Sequence, residues 1–296
     1  MPMCAPDIRG VGACVRLAFL MPTSFFLKKL HHLYYSIGMT SETTQILLDA
    51  IGIAREAGRI QLANFRSPTL NVETKGNDYD LVTATDKACE AFVAGRVREL
   101  YPSHSVLSEE SGADDVVSDW QWVVDPVDGT TNYKSGLPYF TISIGIRYRG
   151  ETQIGVVYAP RLDELFTAVK GEGAKLNGDP ITCSTCTALS KAVVCTGFPY
   201  DKAENADNNI AEAVRVIPKV RGFRRLGSAS LDICYTAMGI LDAFWELNLH
   251  IWDVCAAYLI ATEAGCEISS LRSGRGESVL IAPSQLVKPM LDLLME

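Results

Sequence analysis

The stretch from Trp122 to Asn132 constrains this chain more than any other. Trp122-Val123-Val124 is an apolar run of the kind that forms a buried strand. Asp125 and Asp128 follow three residues apart, and Pro126 between them keeps a helix from starting early. Gly129-Thr130-Thr131 then has the composition of a tight turn opening onto a helix N-terminus. Carboxylates at a strand end, beside free backbone N–H groups, can hold hard divalent cations next to a bound phosphate.

The rest of the chain is long enough to surround such a site. At 296 residues it supports one large core or two closely joined halves. Its net charge of −8 and the lack of any basic block exclude a nucleic-acid footprint. An acidic protein that binds a phosphate ester must import positive charge, and metal ions are the obvious source. The nine cysteines are an odd number, and Cys195 and Cys255 sit inside apolar runs. That pattern implies reduced core thiols and a cytoplasmic setting. Cys183-Ser-Thr-Cys186 has zinc-knuckle spacing without a second pair nearby, so it reads as a loop coincidence.

Residues 1–38 differ in character from the rest of the chain: Arg9, Arg16, Lys28 and Lys29 stand against Asp7 alone. The apolar run Val11 to Leu27 is interrupted by Arg16 and Pro22, too broken to span a bilayer. Two readings remain open for this extension, a targeting segment or a non-native start with Met39 as the functional first residue. Two further segments are expected: a metal-binding α+β half over 39–190 and an α/β substrate-recognition half over 191–296.

Apolar spacing predicts a helix from Thr44 to Phe65, and another from Lys87 to Leu100 capped by Thr85 or Asp86. Asn71 to Tyr79 reads as a loop and Ser105 to Ser108 as a short strand ending at Glu109-Glu110. Tyr139 to Ile146, Thr152 to Tyr158 and Glu164 to Val169 form an antiparallel meander, with a hairpin at Asn177-Gly178. Strands follow at Ala192–Thr196, Ala243–Glu246 and Ser278–Ala282; helices follow at Asn208–Ile217, Ser228–Met238, Trp252–Ala264 and Ser284–Leu294. This order argues for layered α/β packing.

Which residues complete a site with Asp125 and Asp128? Glu109 and Glu110 end a strand, while Asp86 and Asp253 begin helices. Taken singly each has a plainer role: an Asp at a helix start is commonly a cap, and a paired Glu at a strand end is commonly solvated. Together they carry a resemblance. Leu107-Ser108-Glu109-Glu110-Ser111, Trp122 to Tyr133 and Leu249-His250-Ile251-Trp252-Asp253 resemble the three signature blocks of the inositol monophosphatase family. The Asp80–Asp86 block and Gly227-Ser228-Ala229 match as well, and the resemblance runs in order from about residue 42 to the C-terminus.

The resemblance implies a layered αβαβα sandwich of the inositol monophosphatase and fructose-1,6-bisphosphatase type, and two to three Mg²⁺ ions per subunit. By resemblance, Glu109, Asp125 and the Val127 carbonyl hold one ion, and Asp125, Asp128 and Asp253 a second. A third, weaker ion would share Glu109 and the region of Asp86. Glu109 and Thr130 would orient and deprotonate the attacking water, Asp128 would face metal and substrate, and the N–H groups of Gly129 and Thr130 would bind phosphate oxygens. Glu246 resembles the family's hydroxyl-binding glutamate, with Gly227, Ser228, Ala229 and Asp253 lining the same pocket. Lys75 aligns with a family lysine near the third ion, whereas His250 reads as structural.

The implied activity is lithium-sensitive hydrolysis of a small phosphate monoester by a homodimer, with neither nucleic acid nor membrane as partner. Relatives acting on 3′-phosphoadenosine phosphates or histidinol phosphate typically carry Lys or Arg after Asp-Gly-Thr, and Thr131-Asn132 here favours inositol monophosphate. Fructose 1,6-bisphosphate stays open, as does a regulatory binding protein that retains the fold. The family's glycine-rich turn and longer connection after the last core helix are shortened here at Ile268 to Gly274, which leaves the C-terminal strand order unassigned.

Overall fold

The computed structural model describes residues 42–67, 72–74 and 81–296. Residues 1–38 and Lys75 lie outside that set. Helix α1 (Glu42–Asn64) is followed by a small antiparallel ribbon, β1 (Val72–Thr74) with β2 (Leu81–Thr83), and by α2 (Ala84–Leu100). Next come β3 (Ser105–Ser108), β4 (Gly112–Ala113), β5 (Trp120–Asp128) and a short α3 (Thr130–Ser135). The meander is β6 (Thr141–Tyr148), β7 (Glu151–Ala159), β8 (Glu164–Val169), β9 (Ala174–Leu176) and β10 (Asp179–Pro180). The remainder is β11 (Val193–Thr196), α4 (Ile210–Val216), β12 (Gly222–Arg224), α5 (Ala229–Ala237), β13 (Ala243–Leu249), α6 (Ile251–Glu263), β14 (Glu267–Arg272), β15 (Glu277–Ala282) and α7 (Ser284–Leu294).

An eight-stranded sheet runs β10-β9-β8-β7-β6-β5-β3-β4, and a five-stranded sheet runs β12-β11-β13-β15-β14. Side-chain alternation decides which layer each face meets. Along β7, Ile154, Val156 and Tyr158 pack with Ile46 and Ala50 of α1 and Val93 of α2. Val157 and Ala159 point the other way, into a core shared with α5, α6 and Phe244 of β13. In the second sheet Ala243, Trp245 and Leu247 turn outward onto Val216 of α4 and Leu286 and Met290 of α7. The result is the αβαβα order expected from the resemblance. Among the described residues, no helix is long and apolar enough to cross a membrane.

Most elements fall within two residues of their predicted bounds, and the differences have local causes. The cap of α2 is Thr83, whose hydroxyl accepts from the amides of Thr85 and Asp86 while Asp86 returns a bond to the Thr83 amide. Neither Thr85 nor Asp86 serves as the cap. Asp125 and Asp128 close β5, at the strand end expected, with a register irregularity at Pro126 and Val127 between them. The segment read as a shortened connection is strand β14, paired antiparallel with β15 at the sheet edge. β1, within the Asn71–Tyr79 segment read as a loop, is a strand because it pairs with β2, and the edge strands β4 and β12 were not expected.

One close approach fixes the middle layer. Gly145 and Gly155 are cross-strand partners on β6 and β7. A Cβ on Gly155 would stand 2.5 Å from the Ala256 carbonyl oxygen, and one on Gly145 would stand 2.4 Å from Cys255 Sγ. Helix α6 therefore rests directly on the sheet, which sets the height of Asp253 in its first turn. Gly155→Ala is expected to cost about 1–3 kcal/mol by overpacking. An unchanged midpoint in denaturant unfolding would contradict this.

Candidate active site

The C-terminal end of β5, the N-termini of α3, α5 and α6, and the loop after β11 converge on one cleft of ≈ 300 Å³. Parallel strands open their carboxyl ends onto such crevices, and β11 and β13 run parallel here. Glu109, Asp125, Val127, Asp128, Gly129, Thr130, Gly227, Ser228, Ala229, Glu246 and Asp253 all line it. Asp86 is not among the lining residues and meets the site from beneath.

Asp125 is the centre. It is 2% exposed, and its Oδ1 accepts the Val127 amide at 3.0 Å across the strand irregularity. Burial raises its carboxyl well above the ordinary value, and Glu109, Asp128, Asp253 and Asp86 push it further in the same direction. The named charges acting on it are all carboxylates. Buried negative charge without a cationic neighbour is the condition a divalent cation relieves.

Asp128 is held differently. Its Oδ1 accepts the Ala229 amide at 3.1 Å; its Oδ2 accepts the Ser230 amide and the hydroxyls of Ser228 and Ser230, each at 2.5–2.7 Å. This carboxylate thus caps α5 from another strand, because the Ser228 N-cap position makes no side-chain cap bond of its own. Burial still raises its pKa, and the serine hydroxyls and amides pull it back down.

Asp253 occupies the third position of α6, where its Oδ2 accepts the His250 amide at 2.7 Å. His250 caps that helix, as a structural reading requires, and it also lines the cleft with its ring stacked 4.7 Å from Trp252. Asp86, fully buried, accepts the Thr130 hydroxyl at 3.0 Å, and Thr130 Oγ1 is also 2.9 Å from the Val127 carbonyl oxygen. Burial raises the Asp86 carboxyl, against the pull of its bonds to Thr83 and Thr130.

Gly129 joins β5 to α3 with φ of 94°, a left-handed conformation that favours glycine. A Cβ there would lie 3.0 Å from the Tyr139 carbonyl oxygen and 3.1 Å from that of Gly227. Asn132 bridges the same region, its amide donating to Tyr139 and Leu226 carbonyls at 2.8 Å.

Glu246 stands at the other end of the cleft, where burial, Asp232 and Asp253 raise its carboxyl and Arg225 opposes them. Its carboxylate lies flat on Gly197, since a Cβ at that position would be 1.9 Å from Oε1. Asn209 holds that loop by donating to the Gly197 carbonyl at 2.6 Å. Asp232 backs the same end; burial pushes it up to about 8, and it accepts the Tyr139 hydroxyl at 3.0 Å.

Arg225, Asp232 and the loop Gly197 to Tyr200 were not expected as lining residues. The arginine pair Arg224-Arg225 before Gly227-Ser228 and a proline-containing loop after a strand were the signals available.

A family model described as the inositol monophosphatase family matches residues 42–291. The chain belongs to that family. Nus factor SuhB of Haemophilus influenzae is 41% identical over 253 residues, covering 82% of this chain and 93% of that protein. Among solved structures, extragenic suppressor protein suhB from Bartonella henselae superposes with a TM-score of 0.80 at 32% identity, over 85% of this chain and 99% of that one. Inositol monophosphatase from Anabaena (Nostoc) sp. PCC 7120 gives 0.77 at 35% identity, over 86% and 97%.

Does the donor set fit Mg²⁺? Among the described residues, no three carboxylate, imidazole or thiolate groups stand together as a finished cage. Asp128 accepts donors of α5, and Asp253 accepts the His250 amide. The chemistry nevertheless fits: the groups around Asp125 are hard oxygen donors that raise one another's pKa, and Mg²⁺ takes few carboxylates and keeps waters.

Proposed function

We propose that this family member is a Mg²⁺-dependent, lithium-sensitive phosphomonoesterase that converts inositol monophosphate, or a similar polyol phosphate, to the free alcohol and phosphate. The observation that carries the reading is Asp125, a buried carboxylate ringed by carboxylates at the mouth of a strand-to-helix turn. Glu109, Asp125, Asp128, Asp253 and the Val127 carbonyl would hold two ions, with Asp86 and Glu109 serving a third. Those ions would supply Lewis-acid activation of water and of the departing alkoxide oxygen.

The chain's own groups do the rest. The N–H groups of Gly129 and Thr130 orient the phosphate at the start of α3. The Thr130 hydroxyl, fixed by Asp86 and Val127, orients the attacking water, and Glu109 accepts its proton. A P–O bond forms to the water oxygen as the ester P–O bond breaks; the alkoxide takes up one proton from solvent and Glu109 returns its proton to solvent, so the net reaction consumes one water. Glu246 and Arg225 receive the polyol end, with Gly227, Ser228 and Ala229 along the wall. The reading includes a homodimeric assembly in the cytoplasm.

A panel of inositol monophosphate, histidinol phosphate, fructose 1,6-bisphosphate and adenosine 3′,5′-bisphosphate tests the substrate, with inositol monophosphate expected to have the highest kcat/KM. Glu246→Gln is expected to raise KM for inositol monophosphate about tenfold, the scale of one hydrogen bond to a charged group. KM for an aryl phosphate, which offers no hydroxyls, should stay within about twofold. Equal effects on both would remove Glu246 from alcohol recognition.

The relatives named Nus factor favour a second reading, a regulatory binding protein that keeps the fold. Complementation of a null strain by Asp125→Asn separates the two. Full restoration would assign the biological role to binding.

A further inference from the structure

We infer that Glu90 is a positioning residue for Glu109, acting as the buried anchor of the turn that presents that carboxylate to the cleft. The inference rests on the Mg²⁺-dependent reading above. Glu90 lies one helical turn after Asp86 on α2, so both carboxylates emerge from the same buried face. Glu90 is 5% exposed, and its carboxylate bonds an amide and a hydroxyl. Its Oε2 accepts the Glu110 amide at 2.9 Å, and its Oε1 accepts the Ser111 hydroxyl.

The turn is the three-residue loop between the paired residues Ser108 and Gly112. Strand β3 ends at Ser108, and its partner β4 contributes only Gly112 and Ala113. On the near side the Glu109 amide donates to the Val124 carbonyl at 3.2 Å, next to Asp125. On the far side Glu90 takes the next amide and the next hydroxyl. Glu109 is thus clamped between β5 and α2. A charged, buried acceptor holding two donors is a strong tie, since charge-assisted hydrogen bonds are about twice as strong as neutral ones. Glu90 touches neither the cleft nor its contents, so it acts through the geometry of Glu109.

Magnesium binding separates positioning from a merely structural role. The full chain, freed of cations with chelator and then dialysed, is titrated with MgCl₂ by calorimetry, without substrate. The Mg²⁺ dependence of hydrolysis and the melting temperature are measured in parallel. Glu90→Ala is expected to weaken Mg²⁺ binding about tenfold, the scale seen when a group supporting a metal ligand is removed. Glu90→Gln keeps an acceptor for the Glu110 amide and should stay within about threefold.

Ser111 is exposed, so Ser111→Ala removes one donor without altering charge or core. It should weaken Mg²⁺ by about threefold and leave KM for the ester within about twofold. If Glu90→Ala does not fold, Ser111→Ala decides alone. Wild-type Mg²⁺ affinity in these variants, with any loss confined to melting temperature, would overturn the inference while leaving the phosphatase reading intact. Wild-type protein that neither binds Mg²⁺ nor hydrolyses the ester would overturn both.

Discussion

Asp125→Asn is expected to abolish hydrolysis, by on the order of 10³-fold or more, while making the cation-free protein more stable. The two effects have one cause. Burial and the carboxylates of Glu109, Asp128, Asp253 and Asp86 raise the folded-state pKa of Asp125 well above its ordinary 3.8. A group raised in this way favours the fold fully below its unfolded value, and that contribution is lost as pH rises through the folded value. In chelator, wild-type stability should therefore decline as pH climbs from 3.8 upward, and the asparagine variant should decline less. Its melting temperature at neutral pH should exceed that of wild type by roughly 2–4 °C for each kcal/mol of repulsion relieved. Added Mg²⁺ should reverse the order, because only wild type gains by binding it. Thermal scans across pH, with and without Mg²⁺, measure all of this. A lower melting temperature for the variant in chelator would show that Asp125 is compensated by something other than a cation.

Burial raises the second aspartate as well, but four donors oppose that shift, and losing them should set its effect on stability apart. Asp128→Asn is also expected to lose activity, but it should destabilise the protein by about 1–3 kcal/mol with or without Mg²⁺. Its Oδ2 takes three donors and its Oδ1 takes the Ala229 amide. An asparagine can keep the oxygen at one position only, so its NH₂ group must face an N–H or hydroxyl donor at the other. Three residues of sequence thus separate a carboxylate that strains the fold from one that caps a helix. Denaturant midpoints of both variants in chelator check the contrast. A shared sign would mean that the two carboxylates sit in equivalent environments.

Much of this was legible because it is local. The strand into Asp125, the left-handed turn at Gly129 and the helical spacing of α1, α2 and α6 arise from neighbouring residues. The strands that were missed are edges. β14 buries Leu271 but leaves Ile268 36% exposed, so its Ser269-Ser270 centre carries no alternation to read. The choice of Thr83 over Thr85 as the cap of α2 was equally hidden. Three polar residues stand together there; Thr83 and Asp86 form the reciprocal box, and the other Asp86 oxygen accepts the Thr130 hydroxyl, 44 positions away.

The same distance effect divides the site. Glu109, Asp125, Asp128 and Asp253 could be named from their blocks. The partners that aim them could not. Ser230 on Asp128, Glu90 beneath Glu109 and Gly197 against Glu246 become neighbours only when the layers close. Arg225 entered the cleft the same way, one of two adjacent arginines in sequence that acquires meaning beside Glu246.

The carboxylate cleft should work only with a divalent cation. Phosphate release from inositol monophosphate, followed while Mg²⁺ is titrated into the chelator-treated full chain, tests it most directly. Release should be absent at the start, rise saturably with Mg²⁺ and remain absent in Asp125→Asn at every concentration. Undiminished release in excess chelator would contradict the account.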